Sequence, residues 1–384
     1  MYIDKVDDVD ITIDALSRAF AETAALHDAK ASFPFDNIER LRKVGAPAFV
    51  VPTQFGGRGF GLSRAQSVVN RIARGEASTG LVLAQQFLFH GSMLRNPAFP
   101  NSLRNRILRS AVDEGGFVNS LRVEPDLGTP ARGGLPATIA RRTASGWTLN
   151  GRKIYATGCP ALRWNAIWAR TDEAEPRIGV FVVPGGAPGL RIEETWRQMG
   201  MRASGSHDVV LDNVEISEDH AAELGTPEQR VKPDPVLTAW VSVLFATVYD
   251  GAARAARDWI VSFLNERVPS NLGAPLASLS RMQEAVGEID SALYASRVLL
   301  QDLSERVDRG DTPAPWDSLY VKHNVNANAL KAVSKAMEIA GNPGLAQDNP
   351  LERHYRDVLC ARVHTPQADT ILIGGGREAL AARP

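Results

Sequence analysis

His90, Thr157 and His364 are the side chains that combine a group able to do proton chemistry with a setting that could use it. His90 closes the apolar run Gln86-Phe87-Leu88-Phe89-His90, and His364 precedes Thr365-Pro366 late in the chain. Imidazole titrates near neutrality, so either ring can hold or pass a proton. Thr157, in Tyr155-Ala156-Thr157-Gly158, offers a hydroxyl that donates or accepts. Each has a plainer reading beside it. His90 is then a satisfied polar residue at the end of a buried helix, and His364 a loop imidazole bonded to backbone. Tyr155 is then a half-buried aromatic on an amphipathic strand. Arg267 follows a long apolar segment. A guanidinium fork suits two phosphates, and a cation is equally at home at a solvated helix C-terminus. His207-Asp208 and His220 have no partner at metal-ligand spacing. Cys159 and Cys360 are too far apart for a redox pair or a zinc knuckle. Gly374-Gly375-Gly376 lacks the Lys-Ser/Thr of a phosphate loop and reads as a flexible tail.

The elements that must position these groups fall into three blocks: helical over 1–116, β over 117–222 and helical again over 223–384. In the first, Ile13, Leu16, Phe20 and Ala24 recur at helical spacing, as do Ile38, Leu41 and Val44. Thr79 to His90 is almost unbroken apolar sequence, the pattern of a helix buried all round. In the second block, Trp147 to Tyr155 reads as strand, Asn150-Gly151 turn, strand. Ile178–Val183 and Asp208–Val214 are further strands, and the whole suggests a small barrel or sandwich. In the third, Val236–Arg267, Met282–Val307 and Trp316–Ala340 read as long helices. The class is α+β: an N-terminal helical domain, a central β domain and a C-terminal four-helix bundle.

Composition narrows the field. The 384 residues carry 43 Lys plus Arg against 44 Asp plus Glu, a net charge of −1. That leaves no basic footprint for nucleic acid and no polybasic patch for a membrane. The longest uncharged apolar stretch, Val236 to Tyr249, is shorter than the roughly 20 residues of a membrane span. With two cysteines and an N-terminus unlike a signal peptide, a reducing cytosol is the expected compartment.

Five segments, in order, resemble the acyl-CoA dehydrogenase superfamily over essentially the full chain. Pro52 to Gly59 resembles its P-x-x-Y/F-G-G-x-G loop, and Glu124 to Thr129 its E-P-x-x-G-S/T flavin loop. Gly151 to Gly158 resembles G-x-K-x-W/F/Y-x-T/S-N/G, Met199 to Ser204 resembles G-x-R-A/G/S-S/T, and Pro350 to Asp357 resembles P-x-E-R/K-x-x-R-D. The resemblance implies a flavin between the β domain and the bundle. It places Val123, Gly128 and Thr129 at the flavin edge, Tyr155 against the ring and Thr157 on its N5. It also puts Arg267 on a dinucleotide pyrophosphate and Gln283 and Gly341 near the cofactor. The family's adenine-end glutamine and second glycine are Glu338 and Asn342 here, so FAD and FMN both stay open. A dimer or tetramer is implied.

The family's catalytic glutamate is missing. Its usual position is Thr365 and its alternative position is Val241. Asp250 lies nine residues beyond Val241, half a turn away on the opposite helix face. Instead, His364-Thr365, His90 and Thr157 resemble the flavin-dependent monooxygenase branch whose best-known member attacks dibenzothiophene. Gln367 stands where that branch often has another histidine. The branch implies a separate flavin reductase, O2 and a small hydrophobic substrate. An acyl-CoA dehydrogenase or related thioester-acting enzyme is the second reading, and a non-catalytic flavin-binding protein the third.

Overall fold

The computed structural model describes residues 6–127, 134–227 and 234–381. Five helices form the N-terminal part: α1 (Val6–Lys30), α2 (Phe35–Lys43), α3 (Leu62–Gly75), α4 (Ala77–Arg95) and α5 (Asn101–Asp113). Helix α4 is the buried rod that the apolar run predicts. Glu76 caps it, accepting from Ser78 N at 2.9 Å and Thr79 N at 2.6 Å, which satisfies donors the helix start leaves over.

Eight strands follow: β1 (Phe117–Leu121), β2 (Ile139–Arg142), β3 (Gly146–Ala156), β4 (Leu162–Thr171), β5 (Ile178–Pro184), β6 (Leu190–Glu193), β7 (His207–Ser217) and β8 (Ala221–Gly225). They make one mixed sheet in the order β6-β7-β3-β2-β4-β5-β8, with β1 added beside β4. Strand β8 carries the sheet past the expected boundary at residue 222.

The Asn150-Gly151 turn does not form. β3 runs straight through it, paired to β2 on one edge and β7 on the other. The irregularity is absorbed as a register shift between Leu149 and Gly151. Gly151 has φ +155, and a Cβ there would lie 2.5 Å from Thr138 Oγ1. The Asn150 amide is used sideways, accepting from Asn213 N at 2.9 Å. A hairpin signal read from two residues loses to pairing on both edges.

The C-terminal part contains α6 (Pro235–Glu266), α7 (Ser280–Asp308), α8 (Pro315–Ala340), α9 (Asn342–Leu345), α10 (Leu351–Leu359) and α11 (Ala368–Ala381). The three long helices pack with α10 as a short fourth member, and α11 lies along α8. Helix α6 is long and apolar enough to cross a membrane by length and composition, yet 67% of that window is buried inside the protein. The Gly374–Gly376 run is not a loose tail. It sits inside α11, where a Cβ on Gly374 would lie 2.3 Å from the Trp316 ring and one on Gly375 2.0 Å from Tyr320 Oη. Those glycines let two helices approach closely.

Candidate functional site

Strand β3 ends in a tight reversal that presents two of the singled-out residues. Tyr155 has φ +56, and Thr157 N bonds back to Tyr155 O at 2.9 Å. That twist turns the Tyr155 ring outward, 55% exposed, edge-on to Trp196 with centroids 6.0 Å apart. Thr157 turns inward. Its hydroxyl meets Ser206 Oγ at 3.0 Å, which meets Ser204 Oγ at 2.7 Å. Asn119 Nδ2 donates to Thr157 O at 2.9 Å. Val123 O accepts from Ile154 N at 3.0 Å, so the chain before the Glu124 loop runs beside this reversal. Gly128 and Thr129 lie outside the described residues.

Glu124 anchors rather than contacts. Its carboxylate accepts from Ala137 N at 2.6 Å, Thr138 N at 3.0 Å and Lys153 Nζ at 2.5 Å, all of it buried. Burial pushes the Glu124 carboxyl up, but Lys153 and Thr138 outweigh that and hold it below the usual range. Lys153 itself is drawn down to about 8 by burial.

His364 is held from two helices. Its Nδ1 is 2.6 Å from Tyr249 Oη on α6. Its ring lies 5.0 Å from Phe245, tilted by 32°. From α8, Lys322 Nζ donates to His364 O at 2.8 Å and to Pro366 O at 2.7 Å. Burial, and the Lys322 ammonium after it, push the imidazole down to about 4. Burial also pushes the Tyr249 phenol well up, so the phenol keeps its proton and donates it. His364 is then neutral with its hydrogen on Nε2, an assignment made from this network.

His90 is 0% exposed, and burial pushes it down to about 3. Neither ring nitrogen has a partner among the described residues. A neutral imidazole always carries one N–H, and a buried polar group left unpaired is costly. His90 therefore has room for a hydrogen-bonding group that the described residues do not supply.

These three do not touch one another. Helices α4 and α6 run antiparallel: Gly91 faces Trp240, while Gly80 and Gly251 both face Ala73. Gly158 faces Val82, so Thr157 and the Tyr249-bound His364 sit at a similar level of the pair. His90 lies about 12 Å further along α4.

Where the catalytic carboxylate would stand, none is found among the described residues. Val241 and Thr365 hold the two positions. Asp250 is on the other face of α6 as expected, tied to Arg254 at 2.7 Å and Asn70 at 2.8 Å. Asp357 is a second buried acid, on α10. It accepts from Met201 N at 2.6 Å, and burial, with Glu76 nearby, pushes it up to about 7.

The remaining sequence-selected residues lie elsewhere. Arg267 is exposed at the C-cap of α6. Gln283 is exposed and donates to Ala277 O at 3.0 Å. Gly341 caps α8 with φ +64. Within one chain they are not brought to Thr157 or His364. His207 accepts from Trp196 N at 3.1 Å and His220 Nδ1 lies 2.7 Å from Val182 O; no metal-ligand cluster occurs among the described residues. Sequence reasoning missed Tyr249, Lys322 and Ser206, and named Asp357 only as the end of the Pro350–Asp357 segment. The one local signal for Tyr249 was a lone phenol inside an apolar helix.

An unpartnered buried imidazole, an outward aromatic pair and a linked hydroxyl set fit a flat ring with polar edges, as a flavin has. Three domain families match the chain: the acyl-CoA dehydrogenase N-terminal domain over residues 12–96, its middle domain over 123–214 and its C-terminal domain over 243–367. A putative acyl-CoA dehydrogenase, YdbM of Bacillus subtilis, is 33% identical over 94% of this chain and 93% of its own length. L-evernosamine nitrososynthase of a Micromonospora species is 30% identical over 91% of this chain and 84% of its own. The solved structure of KijD3 in complex with FMN and a dTDP-linked amino-keto sugar superposes with a TM-score of 0.83. It is 28% identical and covers 98% of this chain and 94% of that one. By sequence and by fold, the chain belongs to the acyl-CoA dehydrogenase family of flavoenzymes.

Proposed function

We propose that this flavoenzyme is a monooxygenase that takes reduced flavin from a separate reductase and oxidises a small hydrophobic substrate with O2. One observation carries the reading: a neutral, buried His364, oriented by Tyr249, stands beside the position where a carboxylate base would stand, and that position is Thr365. Removal of an α-proton needs a base of matched strength within reach. A threonine hydroxyl is not one at neutral pH without a strong activator.

The bound flavin would supply the reducing electrons and the reaction with O2. The chain's own residues do the rest. Thr157, relayed through Ser206, would offer its hydroxyl to the flavin N5. The Tyr155 and Trp196 rings would cover a flat face. His364, held neutral with Nε2–H free, would donate to an oxygen atom and take a proton back. His90 would supply a second N–H from the α4 side. The α4 wall from Leu81 to Phe89 is mostly apolar and mostly buried, and the amide of Gln86 within it is bonded to Pro47 O, Gly116 O and Val118 N; such a wall excludes water and favours a hydrophobic substrate. KijD3 was solved with FMN, which supports FMN here, with FAD the alternative. The two free thiols fit a reducing cytosol, and exposed apolar side chains on α7 such as Tyr294 and Val298 fit pairing with a second copy.

The relationship to YdbM favours acyl-CoA dehydrogenation as the second reading. Stopped-flow mixing of reduced, flavin-loaded protein with O2 separates the two. The monooxygenase gives multiphasic reoxidation, slower than free flavin, that collapses to one phase in His364→Ala with flavin still bound. Single-phase reoxidation, together with anaerobic bleaching of the oxidised flavin by an acyl-CoA, overturns it in favour of the dehydrogenase.

A further inference from the structure

Behind α6, on the face away from His364, lies a cavity of about 960 Å³. It is walled by α1, α3, α6, α7 and the start of α10. Seven arginines line it against four carboxylates. Four of those arginines are neutralised: Arg64 and Arg71 by Asp10 and Asp14, Arg74 by Asp258, and Arg254 by Asp250. Arg18, Arg297 and Arg353 have no ion pair among the described residues. Arg18 and Arg297 are exposed at the rim.

Arg353 is different. It is only 8% exposed, it lines the cavity, and its guanidinium has no hydrogen bond or ion pair among the described residues. Asp357, one turn further on α10, gives its carboxylate to Met201 N instead. His354 beside Arg353 is buried and neutral, so it offers no countercharge. Arg353 does act electrostatically on Asp357, drawing its carboxyl down against the stronger effect of burial, but the two form no ion-pair contact. A largely buried guanidinium with no contacting anion is unfavourable unless something else pairs it. A planar fork with five donors is shaped for a carboxylate or a phosphate. The cationic excess favours the more highly charged of these. The volume is that of a small-molecule site.

We propose that this cavity is a binding site for a phosphoryl anion, free or carried on a small polar molecule, with Arg353 as its fork and Arg18 and Arg297 at its mouth. None of His90, Tyr155, Thr157 and His364 lines this cavity, and the proposal does not depend on which reaction the enzyme performs.

The test is calorimetric titration of the flavin-saturated protein with inorganic phosphate, pyrophosphate, glycerol phosphate and succinate. The expected result is saturable one-to-one binding of a phosphoryl ligand, with succinate weaker. Arg353→Gln should weaken it roughly tenfold or more, the loss of a charge-assisted fork. The rim variant Arg18→Gln/Arg297→Gln changes two exposed side chains, giving up the contact of Arg297 with the exposed Tyr294 ring at 5.0 Å; it should weaken binding a few-fold while the melting temperature stays nearly unchanged. Tighter binding of glycerol phosphate than of inorganic phosphate identifies an esterified ligand; the reverse identifies the free ion. The proposal is overturned if no phosphoryl ligand saturates at millimolar concentration, or if succinate binds as tightly. It also fails if both sets of variants bind like the parent, or if Arg267→Gln abolishes binding and Arg353→Gln does not.

Discussion

Tyr249 and Asp250 are neighbours on α6, and they serve opposite worlds. Tyr249 points to a dry side, where Phe245 and the phenol hold a neutral imidazole. Asp250 points to a charged side, where it meets Arg254 and Asn70. Both residues are at most 1% exposed. Burial on the dry side is compensated by removing charge, since the imidazole gives up its proton. On the charged side it is compensated by pairing charge, and at Arg353 the pairing is incomplete. One helix thus separates a place suited to proton handling from a place suited to anion capture, with a single peptide unit between them.

Acid tests this contrast with the largest effect. Burial holds His90, His354 and His364 down to about 3, 3 and 4. A histidine lowered in the folded state contributes stability above its ordinary value near 6.5 and loses it as pH falls toward the folded value. Asp357, raised to about 7, and Asp250, also raised, work the other way and lose stability as pH rises. Between about pH 4.5 and 6, unfolding takes up three protons and releases at most two. The net of one or more makes stability fall by roughly 1.4 kcal/mol or more per pH unit as acid is added. Thermal melts across that range should show it, and His364→Ala should reduce the slope by about one proton. A melting temperature that does not move between those pH values breaks the picture of dry, neutral imidazoles.

Breaking the charged side comes next. Asp250→Leu leaves Arg254 without its carboxylate and Asn70 without its acceptor. Removing one partner of a buried pair costs about 3 to 5 kcal/mol. The low end is expected, because Arg254 keeps 24% of its side chain exposed. Denaturant unfolding reads it. A loss below about 1 kcal/mol would place Asp250 among ordinary surface ion pairs. His364 should be unaffected, so the reoxidation phases of this variant, once folded, should match the parent.

His364→Ala attacks the other side. Loss of a positioned proton donor lowers turnover by roughly a hundredfold or more, with flavin affinity and pyrophosphate binding unchanged. Equal turnover in the variant would remove the histidine from the chemistry and leave Thr157 and His90 to carry it.

What could be foreseen from the sequence follows the range of the interaction. Helices α1, α6, α7 and α8 were legible because apolar residues recur within each one. The reversal at Tyr155–Gly158 was legible as a motif, since its parts are four consecutive residues. The Asn150-Gly151 hairpin misled because its local signal was outvoted by β2 and β7, which arrive from elsewhere in the chain. The Gly374–Gly376 run misled because flexibility and close helix contact use the same residue, and only Trp316 and Tyr320 decide between them. Tyr249 was invisible, and Arg353 was visible only as a member of the Pro350–Asp357 segment, without its role. The value of Tyr249 comes from His364, 115 residues away. That of Arg353 comes from a cavity whose walls are spread from α1 to α10. Asp250 was placed on the right face by helix arithmetic alone, but nothing in the sequence said that the face was a charged cavity.

The smallest predicted effect is also the sharpest probe of the boundary. Tyr249→Phe removes one hydroxyl from a buried position and leaves the ring that packs beside His364. The imidazole loses the donor to Nδ1, so its tautomer and tilt are no longer fixed from α6. Lys322 still holds the backbone at His364 and Pro366, so the loop stays in place. A single hydrogen bond of this kind is worth about 1 kcal/mol, which corresponds to a rate loss of roughly fivefold to tenfold. If the hydroxyl orients the ring, turnover falls while the substrate KM and the melting temperature stay nearly fixed, and the pH profile of turnover shifts because His364 no longer has a preferred tautomer. If Tyr249 is only packing, Phe is neutral in all four measurements. Anion binding behind α6 provides the control. It should be the same in Tyr249→Phe and in the parent, because the peptide that joins Tyr249 to Asp250 does not carry the phenol's hydrogen bond across the helix.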